Sequence, residues 1–360
     1  MIKEKKVLIL LHKIQRYRVP VFRIIGSHFN LTIASCEVEQ VALFKNEPFE
    51  VIHLPIRQIG SLILHTKIIH PIVKKYDVVI GLMNLRALDI LSLPFNPFLK
   101  TKIIFWGIGV SASKDTAFDN NKKYDFLRNF FFKRADALIF YTNYAKEKYC
   151  LSGFNKNSLF VANNTVEVLD IRNEISPPKN NLLFVGALHR RKGIIELLEC
   201  YMEAYKKVGE PLCNLRIIGE GPERQNIINF VGKNEISHKV KLEGGVYDQK
   251  RLKDYFLSSI LCISPNQAGL SVLTSMGYGV CFVTKENAIT GGEVFNITNN
   301  KNGILYSSKD ELIKIIVDAY KEPEKYHKMG KEAITYYYLN RKPKDMAISI
   351  IESVKYVLKR

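Results

Sequence analysis

Runs of apolar, often β-branched residues recur along the chain, separated by stretches most of which are long enough for a helix. In the first half they fall at 7–11, 31–34, 51–54, 78–82, 103–106, 137–141 and 159–162; in the second, at 182–185, 215–218, 240–242, 260–263, 280–283 and 303–306. Apolar strands alternating with helices predict parallel, doubly wound sheets. Between the two series lies a polar stretch, 167–181, with Pro177 and Pro178 and few large apolar residues, which reads as a domain linker. The expected organisation is an α/β domain over 1–166, a second over 182–340, and a helical segment, 341–360, that packs back on the first. A length of 360 residues exceeds what one core comfortably serves, in agreement with two domains.

In sheets of this class ligands bind beyond the C-terminal strand ends, so the segments that follow the runs carry the candidate chemistry. After 260–263 comes SPNQAGLSVLTSMGYGV: a loop that empties through Gly269, Leu270 and Ser271 into apolar positions at helical spacing. Free backbone N–H groups and the positive end of a helix dipole at that point suit a phosphate. After 182–185 comes GALHRRKG, with Arg190, Arg191 and Lys192 at the same sheet edge; together the two segments are able to neutralise a diphosphate from two sides. After 215–218 comes Gly219-Glu220-Gly221-Pro222, a tight turn where backbone is able to approach a nucleotide or simply turn into a helix. After 240–242 come Glu243, Gly244, Gly245 and Val246, beside which a base is able to lie flat.

Composition narrows the classes. The chain is ordinary globular material, 47% hydrophobic and 24% charged, and no segment approaches the roughly 20 apolar residues of a membrane span. The first apolar run is too short for a signal peptide, and six scattered cysteines without a C-x-x-C pair give neither a disulfide frame nor a metal site, so a cytoplasmic protein is expected. The formal charge of +18 is uneven: residues 1–165 hold 24 Lys and Arg against 12 Asp and Glu, the remainder 29 against 23. The first domain therefore faces something anionic or is well solvated. No nucleic-acid-binding signature is present, whereas FLRNFFFKR at 126–134 mixes four Phe with three cations, as a helix lying on an anionic membrane surface does; core Phe with snorkelling Lys and Arg is the other reading.

The ordered series FVGALHRRKGIIELLE, LRIIGEGPE, VKLEGGV and ISPNQAGLSVLTSMGYGV resembles the nucleotide-sugar domain of glycosyltransferase family 4, the retaining group 1 enzymes of GT-B fold, over about 182–306. The first half is more loosely similar to the family's acceptor domain, through Tyr17 and Arg18 after the first run, Trp106-Gly107 after a middle run, and 161–165 before the linker.

The resemblance implies two Rossmann-like domains facing a central cleft. It also implies a metal-independent transfer, with no cofactor, of a sugar from a nucleotide diphosphate-sugar, UDP-sugar first and GDP-sugar second. The implied acceptor is a growing glycan, lipid-linked in many members, in surface polysaccharide, O-antigen or capsule synthesis on the inner face of the plasma membrane. By the family pattern Lys192 holds the donor diphosphate, backbone at Gly269, Leu270 and Ser271 binds the distal phosphate, and Arg191, Gly219, Glu220, Gly221 and Val246 line the donor site. The sequence also departs from the pattern. The family's Arg five residues before the Lys is Ala187, leaving Arg190 or Arg191 to replace it. Its two glutamates, eight apart, are Asn266 and Thr274, with Gln267 the sugar contact if the alignment shifts by one. Its His near Trp106-Gly107 is not found there; Asn84 and Arg86 are further acceptor-side candidates. A non-catalytic GT-B binding partner and a nucleotide-sugar epimerase remain alternatives.

Overall fold

The computed structural model describes residues 2–112, 118–172, 174 and 177–360. They form two compact units: one of residues 2–111, 119–165 and 342–360, the other of 112, 118 and 166–341. The α/β reading holds in both.

The first unit is built on seven strands: β1 (Lys6–Leu10), β2 (Asn30–Ser35), β3 (Glu50–His53), β4 (Val78–Leu82), β5 (Lys102–Gly107), β6 (Ala137–Phe140) and β7 (Leu159–Val161). They lie in the order β3-β2-β1-β4-β5-β6-β7, every neighbouring pair parallel. Val7, Leu8, Ile9, Val78, Val79 and Ile80 are wholly buried, as strands covered on both faces require. Helices Val19–His28 and Pro343–Leu358 pack on one another; Met346, Ala347, Ile350, Ile351, Val354 and Val357, at helical spacing, join the core that holds β1 and β4.

The wide gap between 54 and 78, read as room for a helix, instead holds an antiparallel hairpin, Ile56–Ile59 with Leu62–His65, and one turn of helix at His70–Val73. Gly60, at φ +58°, supplies the left-handed backbone that a two-residue hairpin turn demands.

The main sheet of the second unit has six strands: β8 (Asn181–Val185), β9 (Asn214–Ile218), β10 (Val240–Gly244), β11 (Ser259–Ile263), β12 (Cys281–Lys285) and β13 (Gly303–Tyr306). Their order, β10-β9-β8-β11-β12-β13, is again all parallel, with the order reversing between β8 and β11. The described part of 167–181 is part of this unit and not a bare tether. Ile171 is buried, Val166, Val168 and Leu169 pack against the core, and the Tyr337 hydroxyl donates to the Val166 carbonyl at 2.6 Å. Three or four apolar side chains suffice to anchor a polar stretch in this way.

Candidate functional site

The crevice of a doubly wound sheet opens where strand order reverses. In the second unit that point lies between β8 and β11, and the segments leaving those two strands meet there. From β8 the chain turns at Gly186, makes a single 3₁₀ turn at Arg190–Lys192, and enters helix Ile194–Val208 through Gly193, whose φ of +71° is left-handed. A side chain at Gly193 would strike Asn266, whose amide would lie 2.6 Å from a Cβ there; the glycine is what lets the β11 loop close down on this turn.

That closure places Lys192 between the two strands' loops. Its Nζ would stand 3.6 Å from a Cβ on Gly186 and 4.0 Å from one on Gly269. Burial holds the Lys192 ammonium below the ordinary lysine range, and the Arg191 charge acts the same way, with Glu293 opposing. No hydrogen bond or ion pair engages its Nζ among the described residues. A desolvated ammonium with unspent hydrogen-bonding capacity is suited to an incoming anion.

The β11 loop contributes backbone and hydroxyl groups. Helix Ser271–Gly277 is only two turns long, so its dipole is modest; the local N–H groups matter more. No carbonyl accepts from the N–H of Gly269 or Leu270 among the described residues, and the buried Ser271 hydroxyl has no partner. Asn266 is fixed by its backbone, with its N–H to the Lys192 carbonyl at 3.4 Å and its carbonyl accepting from Ile289 N–H at 2.9 Å. The Thr274 hydroxyl donates to the Leu270 carbonyl at 3.2 Å, and Gln267 Oε1 accepts from Arg191 Nε at 3.3 Å. The structure thereby separates the two arginines: Arg191 reaches across to the β11 loop, while Arg190 is exposed.

Of the two jobs open to the glycines after β9, close packing in the turn is the one visible in the structure. A Cβ on Gly219 would lie 1.9 Å from the Gly186 carbonyl oxygen, and one on Gly221 would lie 2.5 Å from that of Leu188. The close approach that these glycines allow is therefore taken by the neighbouring protein backbone, and the turn is structural at these two positions. Glu220 is exposed; its carboxylate accepts from Gly245 N–H at 3.2 Å and meets Arg224 at 3.4 Å. Val246 is half-buried against the core.

In the first unit, Trp106 is wholly buried and so is unavailable as a direct contact; it serves as a wall for Arg18, whose guanidinium lies 4.6 Å from its ring and donates to the Tyr141 hydroxyl at 2.6 Å. Gly107 is buried as well, with no room for a side chain beside Met83. Tyr17 is half-exposed next to Arg18. Asn84 accepts from Arg86 N–H at 3.0 Å and lines a mostly apolar pocket with His12, Cys36, Ile63, His65 and Leu82. At this first-unit reversal point, burial lowers the His12 pKa, with His65 and Arg86 adding to the effect, and His65 Nδ1 lies 2.7 Å from Asp89.

Two features escape sequence reasoning. The His65–Asp89 pair comes from the hairpin that the apolar pattern hid. Glu293 sits buried in the loop after β12, which a short parallel ladder, Gln267↔Ile289 and Ala268↔Thr290, lays alongside the β11 loop. The only sequence signal for it is an acidic residue after Gly291-Gly292. Among the described residues no helix is long and apolar enough to cross a membrane, and no group of three or more His, Cys, Asp or Glu is able to hold a metal ion.

Residues 167–336, just under half of the chain, match the family described as Glycosyl transferases group 1. The chain is similar to alpha-monoglucosyldiacylglycerol synthase of Acholeplasma laidlawii, 22% identical over 194 residues, 51% of this chain and 46% of that protein. It is also similar to the UDP-N-acetylglucosamine–peptide N-acetylglucosaminyltransferase GtfA subunit of Limosilactobacillus reuteri, 27% identical over 146 residues, 39% of this chain and 28% of that protein. The match thus spans less than half the length of either curated relative. Among solved structures, HepE of Anabaena in complex with UDP superposes with a TM-score of 0.73 at 13% identity, over 98% of this chain and 99% of that one. That likeness gives the fold: two Rossmann-like units of GT-B type.

Proposed function

From a group 1 glycosyl transferase domain over residues 167–336, we propose that the chain is a retaining enzyme of family 4. It takes a sugar from a nucleotide diphosphate-sugar, a UDP-sugar in the first instance, and delivers it to a glycan or lipid-linked acceptor in bacterial surface-polysaccharide assembly. The observation that carries this reading is the half-buried, unengaged ammonium of Lys192 between the Gly186 turn and the Gly269 loop. UDP is favoured because one relative's name and HepE's crystal both contain it.

In the proposed reaction the bond from the sugar's anomeric carbon to the diphosphate oxygen breaks. A bond to the acceptor oxygen forms on the same face, and the acceptor's proton passes to the departing phosphate oxygen. Lys192, Arg191 and the N–H groups of Gly269 and Leu270 stabilise the charge that grows on the diphosphate, so electrostatic preorganisation and positioning carry the rate. Asn266 and Thr274 in place of two carboxylates favour a second reading, a protein that binds the donor without turning it over.

Thermal stabilisation across UDP, GDP, ADP and CMP and their sugar conjugates tests the donor site, since a ligand that binds only the folded state raises the melting temperature. The expected result is a shift with uracil nucleotides that disappears in Lys192→Ala. Release of UDP from a stabilising UDP-sugar on addition of acceptor separates the two readings.

We also propose peripheral contact with an anionic membrane through the first unit. Phe98, Phe126 and Phe130 are 83%, 77% and 50% exposed, and Lys122, Lys123 and Lys133 belong to the same stretch of chain as two of them. Sedimentation with phosphatidylglycerol vesicles is expected for the intact chain and lost in Phe126→Ser/Phe130→Ser; equal binding by both would remove this part of the proposal.

A further inference from the structure

The segment 264–277 contains no acidic residue, so the loop that faces Lys192 offers a donor sugar amide and hydroxyl groups but no carboxylate. A carboxylate arrives from elsewhere in the chain. The loop leaving β12 runs alongside, paired through Gln267↔Ile289 and Ala268↔Thr290, which puts Thr290 one strand spacing, about 4.8 Å, from Ala268. Glu293 closes that loop. It is 7% exposed, and its Oε2 accepts from Gly291 N–H at 3.0 Å and stands 3.4 Å from the Thr290 hydroxyl. Its own carbonyl accepts from Asn296 Nδ2 at 2.8 Å, which fixes the following turn. A Cβ on Gly291 would lie 3.2 Å from the same carboxylate oxygen, a tight approach that the glycine relieves. The carboxylate is close enough to Lys192 for its charge to favour the ammonium form against burial.

We propose that Glu293 is a sugar-binding residue of the donor site, supplying from the loop after β12 the carboxylate that positions 266 and 274 lack. This rests on the donor-site reading above. A carboxylate offers two oxygens able to accept from neighbouring sugar hydroxyls, whereas the side chains of Asn266 and Thr274 are neutral and the Thr274 hydroxyl already donates to a carbonyl. With no ligand bound, Glu293 partly offsets the buried charge of Lys192. With donor bound, the diphosphate takes over that role.

The test is calorimetric titration of UDP, UDP-glucose and UDP-N-acetylglucosamine into the full chain, with melting temperature measured alongside, for the parent, Glu293→Gln and Glu293→Asp. The parent is expected to bind one UDP-sugar more tightly than UDP. Glu293→Gln is expected to keep UDP affinity within about twofold and its melting temperature, while losing about tenfold or more in affinity for that UDP-sugar, with Glu293→Asp recovering part of the loss. An unchanged preference for the sugar conjugate in Glu293→Gln overturns the proposal. So does an equal loss for UDP and UDP-sugar accompanied by a fall in melting temperature, because that is the signature of a purely structural carboxylate. A parent chain that binds none of the three ligands overturns the donor-site reading itself, an outcome visible before any variant is made.

Discussion

The two units share a strand order around their reversal points, yet the chemistry at those points differs. Between β8 and β11 the strand ends deliver three cations and two unengaged N–H groups, and the loop after β12 adds a buried carboxylate. Between β1 and β4 lie a histidine whose pKa burial lowers and an apolar lining, to which the hairpin adds a His–Asp pair. The same backbone scaffold thus presents one site suited to a polyanion and one suited to neutral polar groups. Fold sets where a ligand binds; the side chains at a few strand ends set which one.

The largest effect that separates the units is expected at Trp106. Trp106→Ala removes a wholly buried indole from the first unit and should cost about 3–5 kcal/mol in urea unfolding, while the folded fraction keeps its UDP affinity. Lys192→Ala should do the reverse, lowering kcat/KM for donor by about 100- to 1,000-fold with little change in stability. A loss of UDP binding in the folded Trp106 variant would break the division of labour.

The arginines sharpen it at a finer scale. Arg191→Ala should weaken UDP binding by about tenfold and Arg190→Ala by less than about threefold, since only the first reaches the β11 loop. Equal effects in titration would mean that the exposed arginine swings in on binding.

The smallest effect is a pH slope. Burial lowers the Lys192 pKa in the empty site, and a bound diphosphate raises it, so binding takes up a proton once pH exceeds the empty-site value. UDP affinity should then fall with rising pH, beginning below the ordinary lysine range. In Lys192→Arg it should stay flat over the same span, because guanidinium keeps its proton. A parallel fall in both would assign the slope to another group.

The sequence made the α/β class and most strands legible because buried parallel strands are continuous apolar runs, and these survive without knowledge of their partners. Runs 182–185 and 215–218 differ from β8 and β9 by one residue at the start. The hairpin at Ile56–Ile59 and Leu62–His65 was hidden because its residues are half-exposed or exposed and interrupted by charge and glycine. Lys192 and Gly269 were legible as candidates because their chemistry is local: a cation after a strand, a glycine before a helix. Gly219 and Gly221 left two readings open because a glycine shows that something approaches closely but not what; at their Cβ positions it is Gly186 and Leu188. Glu293 was illegible because its position depends on a two-pair ladder between loops, which leaves no periodic trace.

Helix Pro343–Leu358 buries six side chains in the core of the first unit, although 176 intervening residues, 166–341, belong to the second. During synthesis the first unit therefore waits: at about 5–20 residues per second, roughly 10–35 s pass between emergence of β7 and of the helix that covers its sheet. Over that interval the second unit, which apart from residues 112 and 118 runs from 166 to 341, is free to fold while the first still exposes an apolar face. Premature termination between residues 341 and about 350 would leave the second unit complete and the first unfinished, the kind of product that chaperones and proteases are built to recognise.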